Sequence, residues 1–106
     1  PHCIAGTEGS KIIDELDVRE DDKIITKRRY SSFYGTDLDL YLREKGVKEI
    51  HMVGVCTNIC LLYTAADGRN IDYDVVVYRD GVASFDEKAH DFALKEMGTT
   101  LGCKVK

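Results

Sequence analysis

The chain has 106 residues, 43% hydrophobic and 32% charged, with a formal net charge of -4. That length suits one small domain with one core, and the mixture is too apolar for a disordered chain. The acidic balance argues against nucleic acid as a partner, because the one basic cluster, KRRY at Lys27 to Tyr30, is too short to outweigh it.

The opening stretch, PHCIAGTEG, has neither the basic start nor the apolar run of a signal peptide, and no stretch of the chain approaches the ~20 apolar residues needed to span a bilayer. No membrane partner is expected. Cys3, Cys56, Cys60 and Cys103 lack the dense spacing of a secreted disulfide scaffold and form no pair of CxxC knuckles, which points to reduced thiols and a cytoplasmic setting. Gly6 to Gly9, GTEG, lacks both phosphate-loop spacings, so its glycines are expected in a tight turn.

DDKIITK, Asp21 to Lys27, reads as a short buried strand that delivers Lys27 to its end, and RRYSSFYGT after it reads as a loop. Thr36 or Asp37 can cap a helix through DLDLYLREKG, with Leu38, Tyr41 and Leu42 on one face and Gly46 as the stop. EIHMVGV, Glu49 to Val55, is nearly continuous in apolar residues and is expected as a central strand, followed by a helix from about Asn58 to Asp67. DYDVVVYRDG reads as a further strand running into a turn. SFDEKAHDFALKEMG reads as a capped amphipathic helix with Phe85, Ala89, Phe92, Ala93 and Met97 near one stripe, and GCKVK as a last short strand. This alternation predicts an α/β, Rossmann-like fold of three layers, with a mainly parallel sheet and helices on both faces.

In such sheets ligands bind beyond the carboxyl ends of the strands, where Lys27 and the segment Cys56 to Cys60 are expected to meet. Cys60 falls in the first turn of its predicted helix, where unpaired amides and the helix dipole favour a thiolate; position alone leaves nucleophile and core packing both open. Cys56 lies in the turn before it and offers its backbone more readily than its sulfur. A lysine beside a thiolate favours the charged sulfur and can stabilise an oxyanion, whereas the bland reading of Lys27 is a solvated cation. His51, inside a strand, reads as packed or edge-exposed, and His90, amid charges, as solvated. His2 sits in a polar loop and can ligate a metal only with partners, which no HxH, DxH or HExxH pattern in this chain supplies.

HCIAGTEG, KRRYSSFYGTDLDLYL and GVCTNICLLYTAADG, taken in this order, resemble the cysteine hydrolase family of nicotinamidases and isochorismatase-like proteins, over residues 2 to about 85. The family's nucleophile closes a motif G-V-x-T-(D/N)-x-C, here Gly54 to Cys60, and its lysine precedes Y-S-x-F-x-G-T, here Lys27 before Tyr30 to Thr36. The resemblance therefore implies catalytic roles for Cys60 and Lys27, a non-proline cis peptide between Val55 and Cys56, and an oxyanion hole from the backbone N–H groups of Cys56 and Cys60. It implies hydrolysis of the C–N bond of a small carboxamide through a thioester, and retention of Cys60 favours that over isochorismatase chemistry on a vinyl ether.

The family's general-base aspartate lies upstream of the HC motif, and no Asp of this chain matches it. The same holds for the Asp-x-His ligands that accompany His2 in metal-binding members, so zinc or another divalent metal is an expectation for a full-length protein only. Residues 1–106 thus read as one hydrolase domain incomplete at its amino-terminal end, inactive alone, either self-associating or completed by a missing segment. The alternative reading is a non-catalytic interaction subunit that keeps the fold. A redox pair of Cys56 and Cys60 is a weaker third.

Overall fold

β-Branched residues favour strands, and one run of three, Val75 to Val77, lies in the middle of the sheet. The computed structural model describes residues 22–106. In chain order these hold α1 (Leu38–Glu44), β1 (Glu49–Val55), a π-helical turn (Thr57–Leu61), α2 (Leu62–Asn70), β2 (Asp74–Ala83), α3 (Glu87–Thr99) and β3 (Lys104–Val105). The strands form one sheet in the order β1-β2-β3, and both pairings are parallel. Parallel neighbours require crossovers, and α2 and α3 supply them. No described helix is long and apolar enough to cross a membrane.

Because side chains alternate along a strand, the register Ile50↔Val75 and Met52↔Val77 sets one apolar face against the helices. On that face Met52, Val75, Val77 and Val82 join Leu61, Ala65, Ala93, Leu94 and Met97 in one core. The opposite face carries His51, Val53, Val76 and Tyr78; His51 stacks on Tyr78 and shares a 2.5 Å hydrogen bond with its hydroxyl.

Local chemistry explains the helix ends. The Asp86 carboxylate accepts the amides of Lys88 and Ala89 at 3.0 and 3.2 Å, satisfying two donors that a helix start leaves unpaired. The Thr36 hydroxyl accepts the Leu38 amide at 3.3 Å, and α1 stops at Gly46, whose φ of 72° suits a residue without Cβ.

Several expectations need correction. Among the described residues the central strand is β2, and β1 is an edge on which Val53 and Val55 are about two-thirds exposed, 64% and 65%. Residues 22–27 join no ladder, and Ile24 is exposed: an apolar run becomes a strand only when another strand takes its amides, and none of the described strands does. The expected turn at Asp80 and Gly81 is instead a bulge, since the register jumps from Met52↔Val77 to Gly54↔Val82 and β2 continues to Ala83. A Cβ on Gly81 would sit 2.5 Å from Val53 Cγ1, so the bulge there requires glycine. Phe85 and Phe92 are exposed, and the buried stripe of α3 is Ala93, Leu94 and Met97.

A polar clamp holds α1 to the start of β2. Tyr73 is fully buried, stacks on Phe33, and donates its hydroxyl to Asp39 Oδ1 at 2.7 Å. Arg43 Nε donates to the same carboxylate at 3.1 Å, its guanidinium lies 4.1 Å over the Tyr73 ring, and its terminal nitrogen reaches the Ile71 carbonyl. The Tyr73 hydroxyl first, against the opposing effect of desolvation, and then Arg43 hold the Asp39 carboxyl below its ordinary range; burial and that same bond push the Tyr73 hydroxyl up. A depressed carboxylate stabilises the fold above its ordinary pKa, and this is lost as pH falls through the depressed value. Tyr73→Phe is therefore expected to lower the urea midpoint at neutral pH and to lower it less in acid, once pH has fallen through the depressed value at which Asp39 takes up a proton. Urea unfolding followed by circular dichroism at both pH values checks this.

Candidate active site

Where β1 ends, the chain passes through a cis peptide between Val55 and Cys56 and enters the π-helical turn that carries Cys60. The wider turn closes through the Leu61 amide, which donates to the Cys56 carbonyl five residues back at 3.1 Å; the Ile59 amide donates to the same oxygen at 3.1 Å. Such turns inside helices recur at functional sites.

Lys27 reaches this turn from 33 residues away. Its Nζ donates to Cys60 Sγ at 3.3 Å and to the Arg29 carbonyl at 3.1 Å, the second bond fixing the ammonium against the first. Lys27 sits in irregular chain rather than at the end of a strand, so its position comes from the loop that follows. The Ser32 amide donates to Thr64 Oγ1 of α2 at 2.9 Å, the Thr36 hydroxyl donates back to the Ser32 carbonyl at 2.6 Å, and Ser31 is buried. Tyr30 stacks on Tyr63 at 5.8 Å, so an aromatic ring three residues after Lys27 meets one three residues after Cys60.

Two further hydrogen bonds fix the turn from the other side. Thr57 Oγ1, on a side chain with no exposed surface, lies 2.7 Å from His90 Nδ1 of α3. Ser84 Oγ, just past the end of β2, donates to Asn58 Oδ1 at 2.5 Å. His90 is thus half-buried and bonded rather than solvated, a correction that its charged sequence neighbours concealed. Thr57, Asn58, Thr64, Ser32 and Ser84 carry no titratable group, so a search for chemistry-bearing residues passes them by; their only signal is proximity to the motif.

The other candidates lie elsewhere. His51 is on the sheet face, with Nε2 2.6 Å from Glu49 Oε1, away from the end of β1 that carries Cys60. Cys56 is partly exposed, and Cys103 is buried, with burial pushing its thiol up against a smaller opposing effect of Arg69. His2 and Cys3 fall outside the described residues. Among the described residues no group of three or more His, Cys, Asp or Glu side chains is placed to hold a metal ion.

Comparison with known proteins agrees with the resemblance read from the motifs. The Isochorismatase domain profile matches residues 1–105. An isochorismatase family protein, PncA of Bacillus subtilis, is 40% identical over 112 residues, covering 99% of this chain and 61% of its own length. The crystal structure of nicotinamidase PncA from Bacillus subtilis superposes with a TM-score of 0.91 at 38% identity, over 99% of this chain and 62% of that one. A pyrazinamidase of Pyrococcus horikoshii, solved in complex with zinc, gives 0.91 at 35% identity, over 100% and 61%. The chain therefore spans about three-fifths of the length of these relatives and shares their α/β fold with a parallel sheet.

The geometry of the Lys27 loop yields one expectation. Thr64→Val keeps the shape and removes the acceptor of the Ser32 amide, which should cost about 1 kcal/mol of stability and speed amide exchange in residues 31–36. Urea unfolding and hydrogen exchange by mass spectrometry read the two effects.

Proposed function

The chain belongs to the isochorismatase family, and from that premise we propose that the intact protein is a thiol-dependent amidohydrolase that cleaves a small carboxamide such as nicotinamide. The observation that carries this reading is the 3.3 Å contact between Lys27 Nζ and Cys60 Sγ. An ammonium that close is complementary to a sulfur anion and to an oxyanion forming beside it, and neither packing nor a chance surface cation calls for that pairing.

In the proposed reaction Cys60 gives up its proton to a general base and its sulfur adds to the amide carbonyl carbon, the C=O electron pair moving onto oxygen. The resemblance assigns that base to an aspartate matching no position of this chain. Lys27 donates to the sulfur before attack. The tetrahedral oxyanion is stabilised by backbone donors at Cys56 and Cys60, which follow the cis peptide. Collapse breaks the C–N bond, the nitrogen takes a proton and leaves as ammonia, and water then cleaves the thioester to release the acid and restore the thiol. Tyr30 and Tyr63, half-exposed beside this centre, offer ring faces to a flat aromatic amide. Nicotinamide and pyrazinamide, the substrates that the relatives' names contain, are such amides.

Ammonia release from nicotinamide should vanish in Cys60→Ala and fall by about 100-fold in Lys27→Ala, both proteins keeping wild-type circular dichroism. A coupled ammonia assay reads the rates, and an active Cys60→Ala protein would overturn the proposal.

A further inference from the structure

We propose that His90 is a positioning residue for Cys60, acting through Thr57; this rests on the reading of Cys60 as nucleophile given above. Thr57 opens the π-helical turn three residues before Cys60, and with no exposed surface its hydroxyl cannot exchange its partner for water. His90 Nδ1 at 2.7 Å meets that hydroxyl from α3, 33 residues along the chain. Cys56, which caps the turn, makes no side-chain capping bond, so the entry to the turn is held from outside by the His90 and Ser84 bonds.

The consequence for the sulfur is geometric. The stretch from the turn into α2 is pinned at Thr57 by α3 and at Thr64 by the Lys27 loop, and Cys60 lies between these two points in contact with Lys27. Removal of the imidazole leaves a buried hydroxyl without that partner, a state that proteins avoid, and the turn must then rotate or admit water. Either movement shifts the sulfur from the ammonium, because the 3.3 Å contact has little slack. Imidazole is bonded to Thr57 and takes no part in proton transfer at sulfur, so its loss should act on the rate of reaction and not on ground-state binding of the amide.

The test uses His90→Leu, Thr57→Val and the double variant, with His90→Asn as the conservative replacement, because an amide can place a polar atom near the position of Nδ1. Each single change is expected to lower kcat about 10-fold with KM held within about 2-fold, and the double variant to be no slower than either. His90→Asn should recover most of the loss. The labelling rate of Cys60 by iodoacetamide, read by mass spectrometry on folded protein, should follow the same order, with buried Cys103 unlabelled throughout.

Labelling needs no substrate, so a wild-type protein that hydrolyses no amide would sink the reading of function while the labelling data still decide the role of His90. Should His90→Leu fail to fold, Thr57→Val against Thr57→Ser, which keeps the hydroxyl, carries the same comparison. Unchanged labelling and kcat in a folded His90→Leu protein, or losses that multiply in the double variant, would overturn the proposal.

Discussion

A single contact, Lys27 Nζ to Cys60 Sγ at 3.3 Å, sets what the surrounding structure must do. Its two partners come from unlike pieces of chain, one from an irregular segment and one from a π-helical turn, and neither is positioned by its own local structure alone. Each is held by hydrogen bonds to a third element. Thr64 of α2 takes the Ser32 amide and so fixes the loop after Lys27, while His90 of α3 and Ser84 after β2 fix the turn before Cys60. Both helices rest on the same sheet face, so the apolar core made by Met52, Val75, Val77, Ala93 and Met97 keeps the two anchors at constant separation.

The site illustrates how rigidity is concentrated. Flexible lysine and a small thiol gain a defined relation because short, uncharged side chains around them are satisfied and partly or fully out of water. The clamp of Tyr73, Asp39 and Arg43 plays a corresponding part at the other end of the sheet, where it docks α1, and Tyr73 stacks on Phe33 of the loop that follows Lys27. Two ends of one sheet thus divide between holding the chain together and presenting reactive groups, the arrangement expected of open parallel sheets.

Much of this was legible before the structure. The acidic residue ahead of α3, the glycine after α1 and the valine run of β2 act over a few residues, so their sequence signals survive into the fold. The pieces that were not legible depend on distant partners. Residues 22–27 have the composition of a strand, yet no described strand receives them; β1 looked central by hydrophobicity and lies at an edge among the described residues. Phe85 and Phe92 match a helical stripe, but the face that α3 buries is turned toward Ala93 and Leu94, which only the packing against α2 and the sheet decides. His90 was hidden for the opposite reason, since its neighbours in sequence are charged while its partner in space is a buried threonine. At the site, the motif pointed to Cys60 and Lys27, but not to the serines and threonines that bring them within reach.

The most direct test of the central contact is the rate at which iodoacetamide alkylates Cys60 at neutral pH in the wild-type protein and in Lys27→Met. If the ammonium holds the sulfur in a reactive state, alkylation slows by about 5-fold or more on losing it, while the far-ultraviolet circular dichroism stays the same. Equal rates in the two folded proteins would show that residue 27 does not act on the sulfur, and the account built on that pair would fall.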